Sequence, residues 1–361
     1  MALFSRRDKR TDAPEPDASA EPDARESDAQ RAEAEEAAAR VLDGAAEQVP
    51  SVGISVSSFG GLGAPAPRSA PRPAPGEPQP VLRGPEIAPE QSDTVPGMRD
   101  NALLRDALAS LGENPDPIEL LRVTRQVLQG HLFLRVKGDA RALLGQGKDL
   151  PLAVVRNGDQ KWVLAYSSGA ALQRAFQEDG DSDTSAMGQP VLAVLSHVIA
   201  GDYTGLIVDP ASSPARLVLP RDLIQRMVEQ ADPKLALKTL LAGARTPETA
   251  AEIAQAMTEA PLYVAVNKSQ PDPSGGDRLG VAEGRDAEGN RILELYSHPL
   301  EVVAMGRGDQ PLPFTAQQLA DALAKHEQLR GVVLDAAGPW IQLTRDDLAP
   351  VLALAEGGTD D

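Results

Sequence analysis

KWVLAYSSGAALQRA, residues 161–175, and RILELYSHPLEVVAM, residues 291–305, decide the reading of this chain. Each passes from an alternating, strand-like run through a Tyr-Ser-X triplet into a helix-forming run. Tyr166 and Tyr296 lie 130 positions apart (296 − 166). Leu132 of HLFLRV and Leu262 of PLYVAV share that offset, as do Pro117 and Pro247. GLIVDPASSPARLVLPRDL (205–223) corresponds, with small gaps, to GVVLDAAGPWIQLTRDDL (331–348). A period of about 130 residues is domain-sized, so the sequence predicts two tandem domains and not a solenoid.

Working outward, NALLRDALASLG (101–112) sets Leu103, Leu104, Ala107, Leu108 and Leu111 on one helical face, with Gly112 able to end the helix. DPIELLRVTRQVLQG (116–130) predicts a second helix, with Asp116 as N-cap, Pro117 in the first turn and Gly130 at the C-terminal end. HLFLRV is a strand. LPLAVVRNGDQKWVLAYSS is a hairpin turning at Asn157-Gly158. PVLAVLSHVIAG reads equally as strand then helix or as one helix. YTGLIVDP and ARLVLP form a strand pair before the helix RDLIQRMVEQ. The second copy repeats this order, with helices in 232–243 and 246–260, the latter capped by Thr246 before Pro247. The expected class is α/β in the α+β sense: two domains, 99–230 and 231–355, each a mixed sheet flanked by helices. They are expected to pack side by side with approximate two-fold symmetry, followed by a disordered C-terminus at 356–361.

Residues 1–98 are expected to be a disordered acidic and Pro-rich tail. They hold 14 of the 31 prolines, and the first fifty residues carry 13 acidic and 7 basic side chains. Such a segment buries too little apolar surface to offset its ordering entropy. Residues 28–48 are Ala/Glu-rich and predict a marginal helix. APAPRSAPRPAPGEPQP (64–80) predicts an extended spacer. Between them, VPSVGISVSSFGGLG (49–63) is apolar. Val52, Ile54, Val56, Phe59 and Leu62 are the candidate docking residues of a segment that adds a strand to a partner's sheet. The competing reading is a weakly apolar linker with no partner. The basic opening MALFSRRDKR runs into acidic, Pro-rich sequence instead of an apolar core, so no signal peptide is expected. No run of about 18 apolar residues occurs, so no stable membrane insertion is expected, and the expected location is cytoplasmic.

Composition narrows the chemistry. With no cysteine, the chain has no disulfide, thiolate nucleophile or Cys-ligated metal centre. A net charge of −18 and 3% aromatic residues argue against nucleic acid as a partner. The four histidines form no H-x-x-x-H pair, so no metal site is expected. GQGKD (145–149) lacks the upstream glycine and the Ser/Thr of a phosphate loop. DGDSDTSAMGQP (179–190) opens like a calcium loop but has Thr184 and Pro190 where Gly and Glu are required. Ser167, Ser168 and Ser297 lack the glycine frame of a nucleophile elbow, so no catalytic residue is expected. No cofactor is expected either.

Two pairs of equivalent residues stand out. Ser168 and His298 fall at helix starts, where a side-chain acceptor satisfies free N–H groups. Asp209 and Asp335 close equivalent strands. They read either as local turn formers or, because α/β sheets place ligands at strand ends, as part of a small-ligand or cation site with Ser168 and His298.

LAYSSGAALQRAF followed by GLIVDPASSPARLVLPRDLIQRM resembles the SseB N-terminal domain family. There a strand ends in a Phe-Thr-Ser-like triplet, and a later strand ends in Gly-Leu-Val-(Leu/Val)-Asn-Pro. Tyr166-Ser167-Ser168 and residues 205–210 stand for these, and Tyr296-Ser297-His298 and residues 331–336 repeat them. Asp209 and Asp335 replace the usual Asn. The resemblance covers roughly 100–355 and implies two cytoplasmic SseB-like modules of actinobacterial type, with no assigned activity. The resulting expectation is a non-enzymatic protein-interaction or regulatory module with an unknown protein partner. The alternative is a small-ligand or cation-binding regulatory domain at Asp209 and Asp335. Homo-oligomerisation is left open.

Overall fold

The computed structural model describes residues 83–148, 150–181, 183–268 and 279–357. The sequence readings for 28–48, 49–63 and 64–80 lie outside these residues. Domain 1 opens with helices α1 (Ala102–Ala109) and α2 (Pro117–Thr124). Asp116 accepts from Glu119 N, and the Glu119 carboxylate accepts from Asp116 N, closing a capping box. A short 3-10 turn (Arg125–Val127) replaces the expected last turn of α2. The remaining elements are β1 (His131–Lys137), α3 (Ala140–Gly145), β2 (Val154–Asn157), β3 (Gln160–Tyr166), α4 (Gly169–Asp179), β4 (Thr184–Pro190), α5 (Val191–Ala200), β5 (Gly205–Val208), β6 (Leu217–Pro220) and α6 (Arg221–Glu229).

Domain 2 repeats the plan: α7 (Ala236–Ala242), α8 (Thr249–Met257), β7 (Leu262–Lys268), β8 (Leu279–Val281), β9 (Glu283–Arg285), β10 (Arg291–Tyr296), α9 (Pro299–Ala304), β11 (Gln310–Phe314), α10 (Ala316–Lys325), β12 (Leu329–Leu334), β13 (Ile341–Thr344) and α11 (Ala349–Gly357).

The sheets have matching orders, β4-β1-β3-β5-β6 and β11-β7-β10-β12-β13. One pair in each is parallel, β3 with β5 and β10 with β12, and every other pair is antiparallel. β1 pairs with β3 only at Phe133↔Tyr166 and Leu134↔Ala165, and β2 pairs further along β3. β7 and β10 likewise meet at Tyr263↔Tyr296 and Val264↔Leu295, with β8 and β9 pairing where they diverge. The Tyr166–Tyr296 echo in the sequence is therefore a shared register point. Gly205 and Gly331 are equivalent again: a Cβ at either would overlap the carbonyl oxygen of Leu219 or Leu343 on the next strand.

One large core lies under each sheet, built on Leu132, Val163, Leu206 and Leu219 in domain 1 and on Leu262, Leu295, Val332 and Leu343 in domain 2. Each side chain of this kind contributes roughly 1.5–3 kcal/mol on full burial. Arg221 and Arg345 fasten the helix under the sheet. Arg221 donates to the Ile199 and Gly201 carbonyls (2.5 and 2.9 Å), and Arg345 to those of Leu323 and Leu329 (2.9 and 3.1 Å). A cation at a helix C-terminal end also suits the helix dipole.

Of the two readings of PVLAVLSHVIAG, the structure takes the single helix, starting after Pro190. Four local expectations need correction. TSAMGQP, inside the stretch weighed as a cation loop, is edge strand β4, because its residues complete a ladder with β1. Thr246 and Pro247 precede α8 by a turn, and Thr249 Oγ1 accepts from Thr246 N. Helix α11 extends through Gly357. The folded chain begins before 99. Residues 83–98 run along domain 2 and then domain 1, fixed largely by backbone and polar hydrogen bonds that leave no periodic apolar signal. Gly84 N donates to Ala336 O (2.9 Å), Trp340 Nε1 donates to Gly84 O (2.8 Å), and the Arg83 guanidinium lies 5.1 Å from the Trp340 ring centroid. Further on, Gly169 N donates to Asp100 and Ala170 N to Thr94 Oγ1 (3.1 and 2.8 Å), covering the start of α4.

The domains do not meet about a two-fold axis. α2 and the 3-10 turn of domain 1 receive α9 and the 337–338 loop of domain 2. The positions of domain 2 equivalent to Ile118, Arg122 and Arg125 are Glu248, Glu252 and Gln255, and all three are exposed. The contact is head-to-tail, which lets each domain evolve a different face.

Candidate functional site

The repeated triplets sit where the central strand of each sheet turns into a helix. In domain 1, Ser167 N and Ser167 Oγ donate to the two carboxylate oxygens of Asp209 (2.7 and 2.5 Å). In domain 2, Ser297 N and Oγ donate to Asp335 in the same way (2.7 and 2.6 Å). The backbone closes the clasp, since Asp209 N donates to Ala165 O and Asp335 N to Leu295 O, both at 2.9 Å. Both aspartates have left-handed backbone, φ 53° and 54°. Asp and Asn tolerate that region best among residues with a side chain. Each aspartate thus ties the end of one parallel strand to the end of its neighbour. Burial pushes both carboxyl groups up to about 6, against the serine donors; at Asp335 the Glu301 charge adds to the rise.

Ser168 Oγ accepts from Ala171 N (3.2 Å) and caps α4. His298 Nδ1 accepts from Leu300 N (3.1 Å) and caps α9. With Nδ1 accepting, Nε2 carries the proton and donates to Met227 O in domain 1 (3.0 Å). Burial first, then the Lys238 charge, lowers its pKa to about 3, so His298 is neutral.

Around His298 the domain seam holds a buried ionic cluster that no motif announced. Arg125 pairs with Glu301 (2.9 Å), Lys238 pairs with the other Glu301 oxygen, and Lys238 Nζ lies 3.8 Å from Asp335. Arg125 also donates to Gly338 O and Ala337 O, the latter at 2.7 Å. Glu301 is fully buried; burial opposes its charge, but Arg125 and Lys238 outweigh burial and hold it ionised. The legible signals were basic residues on otherwise apolar helical stretches, Arg125 in VTRQVLQG and Lys238 in KLALKTLLAG. Two small pockets flank Lys238. Leu128, Leu235, Ser297 and His298 line one, and Gln126, Gln129, Asp335 and Pro339 line the other.

A second cluster surrounds Tyr296. Its hydroxyl donates to Glu294 (2.7 Å), and Arg307 bonds Glu294, Tyr296 and Asp309 at 2.5, 2.9 and 2.8 Å. A glutamate inside the strand run RILELY was its sequence signal. In domain 1, Arg135 on β1 pairs with Asp179 and lies over the Phe176 ring at 4.5 Å.

The structure brings Asp335 and His298 to one seam, together with Ser297, and places Asp209 and Ser168 at the separate domain 1 junction. Ser167 and Ser297 are buried, and their hydroxyl protons are committed to Asp209 and Asp335. Among the described residues, no three His, Asp or Glu side chains group to hold a metal ion. No described helix is long and apolar enough to cross a membrane.

The SseB protein N-terminal domain model matches residues 104–226 and 235–350. The chain belongs to this family, with two tandem copies of the domain. Comparison with curated proteins and with solved structures returned no match.

Proposed function

We propose that this chain is a non-enzymatic protein-interaction or regulatory module, its paired SseB N-terminal domains acting as a scaffold and its tail supplying a docking segment at 49–63. The observation that carries this reading is the commitment of the junction groups. Both carboxylate oxygens of Asp209 and of Asp335 already accept serine donors, and Ser168 and His298 cap helices. These residues act as internal fasteners, which favours recognition by surface over chemistry at a cleft.

The test is stoichiometric capture of one defined partner by the purified full chain. The reading expects Ile54→Asp/Val56→Asp to abolish capture and Asp209→Asn to leave it intact. Capture that survives the tail substitutions would remove the docking role of 49–63. The alternative reading, a small-ligand site, is supported by the pockets beside Lys238 and Asp335. It expects a metabolite that raises the melting temperature of the native chain but not of Lys238→Met.

A further inference from the structure

Equivalent edges of the two sheets are built differently. β4 and β11 each end their sheet and pair with one strand, β1 or β7. The registers align: Gly188 faces Phe133 as Pro313 faces Tyr263, and Ala186 faces Arg135 as Pro311 faces Ala265. Proline has no N–H, so Pro311 and Pro313 occupy positions whose amides are not needed by the ladder and would point away from the sheet. They close the edge of domain 2 against a further strand. In domain 1 the same positions are Ala186 and Gly188, both exposed, and both keep their N–H groups. Among the described residues, no strand lies on that side of β4. Helix α3 packs against β4 and carries Leu144, which is 56% exposed. In this seven-residue edge strand the amides of alternate residues face β1, and Pro190 at its end has none. Ala186 and Gly188 therefore supply outward donors, and with an adjacent apolar side chain they make a short template for strand addition.

We propose that residues 51–57 of this chain's own N-terminal segment dock on β4 as an added strand, with Ala186 and Gly188 donating to its backbone. In SVGISVS, Val52, Ile54 and Val56 alternate with small residues, the pattern of a strand with one apolar face. That face lies beside Met187, which packs on the domain 1 core. Residues 58–82 link the segment to Arg83 and span roughly 80 Å when extended. Their Pro-rich part, 64–80, alone reaches roughly 50 Å. A compact body of this size has a radius of gyration of about 18 Å, so the linker reaches β4. The inference deepens the proposed docking role of 49–63 and rests on it: self-docking holds the segment until a partner's edge competes for it.

Hydrogen exchange of the purified full chain tests this. The Ala186 and Gly188 amides should be protected and should exchange about tenfold faster in Ile54→Asp/Val56→Asp. Excess synthetic peptide 49–63 added to that variant should restore protection. Equal exchange in the two proteins overturns the proposal. So does protection that disappears on dilution alongside a dimer in sedimentation, because the occupant is then a second copy. No partner enters this experiment, so its failure is distinct from failure to capture one.

Discussion

At the residue scale, Asp209 and Asp335 join two demands: a backbone at φ 53° and 54°, and two acceptors aimed at one serine. Asp209→Asn keeps the tolerated backbone and one acceptor, and should destabilise by about 1 kcal/mol. Asp209→Ala strands two buried donors and forces alanine into left-handed backbone, for a loss of about 2–4 kcal/mol in urea unfolding. Stability against pH follows from the same groups. Asp209 and Asp335 rise from 3.8 to about 6, so between those values the folded chain binds more protons than the unfolded one. Their contribution to stability therefore falls as pH rises through that window. His298 is lowered from 6.5 to about 3, so its contribution rises with pH over that range. The opposed slopes partly cancel. Asp335→Asn should unmask the histidine, giving a steeper loss of stability on acidification from pH 6.5 to 4 than in the native chain. An unchanged pH profile would contradict this.

At the element scale, strand and helix identity was legible wherever periodicity and caps agreed. The capping box at Asp116 and Glu119 is local chemistry, readable without knowing any neighbour. The hairpin was legible too, but it turns at Gly158-Asp159, one residue later than expected, because Asn157 still pairs with Gln160. β4 was not legible, because TSAMGQP has no apolar alternation and becomes a strand only by pairing with β1. Gly331 belongs to this scale. Gly331→Ala puts a methyl against the Leu343 carbonyl and should lower the urea midpoint by an amount equal to about 1–3 kcal/mol. Gly112→Ala, with open space in its Cβ direction and no left-handed backbone, separates this overlap from the backbone effect of losing a glycine.

At the scale of the whole molecule, the seam depends on Glu301. Removing it as Glu301→Ala leaves Arg125 and Lys238 buried without their anion and should cost about 3–5 kcal/mol by chemical unfolding. Replacing all three together with apolar residues of similar volume should recover much of that loss, because a buried ion triad is weak as a net source of stability.

The sequence by itself determined the duplication, the two-domain α+β class and the family, because these rest on periodicity, caps and a 130-residue offset that survive along one dimension. It also located Ser168 and His298 at helix starts, since capping is a local demand. Only the tertiary structure decided what the aspartates do. Ser167 meets Asp209 and Ser297 meets Asp335 across parallel strands, so each pairing exists only once the crossover has folded. The head-to-tail seam, the passage of residues 83–98 over both domains and the contrast between open β4 and proline-closed β11 were likewise set by which surfaces meet. Surface contacts of this kind draw on single residues scattered through the chain, and they leave no period to read.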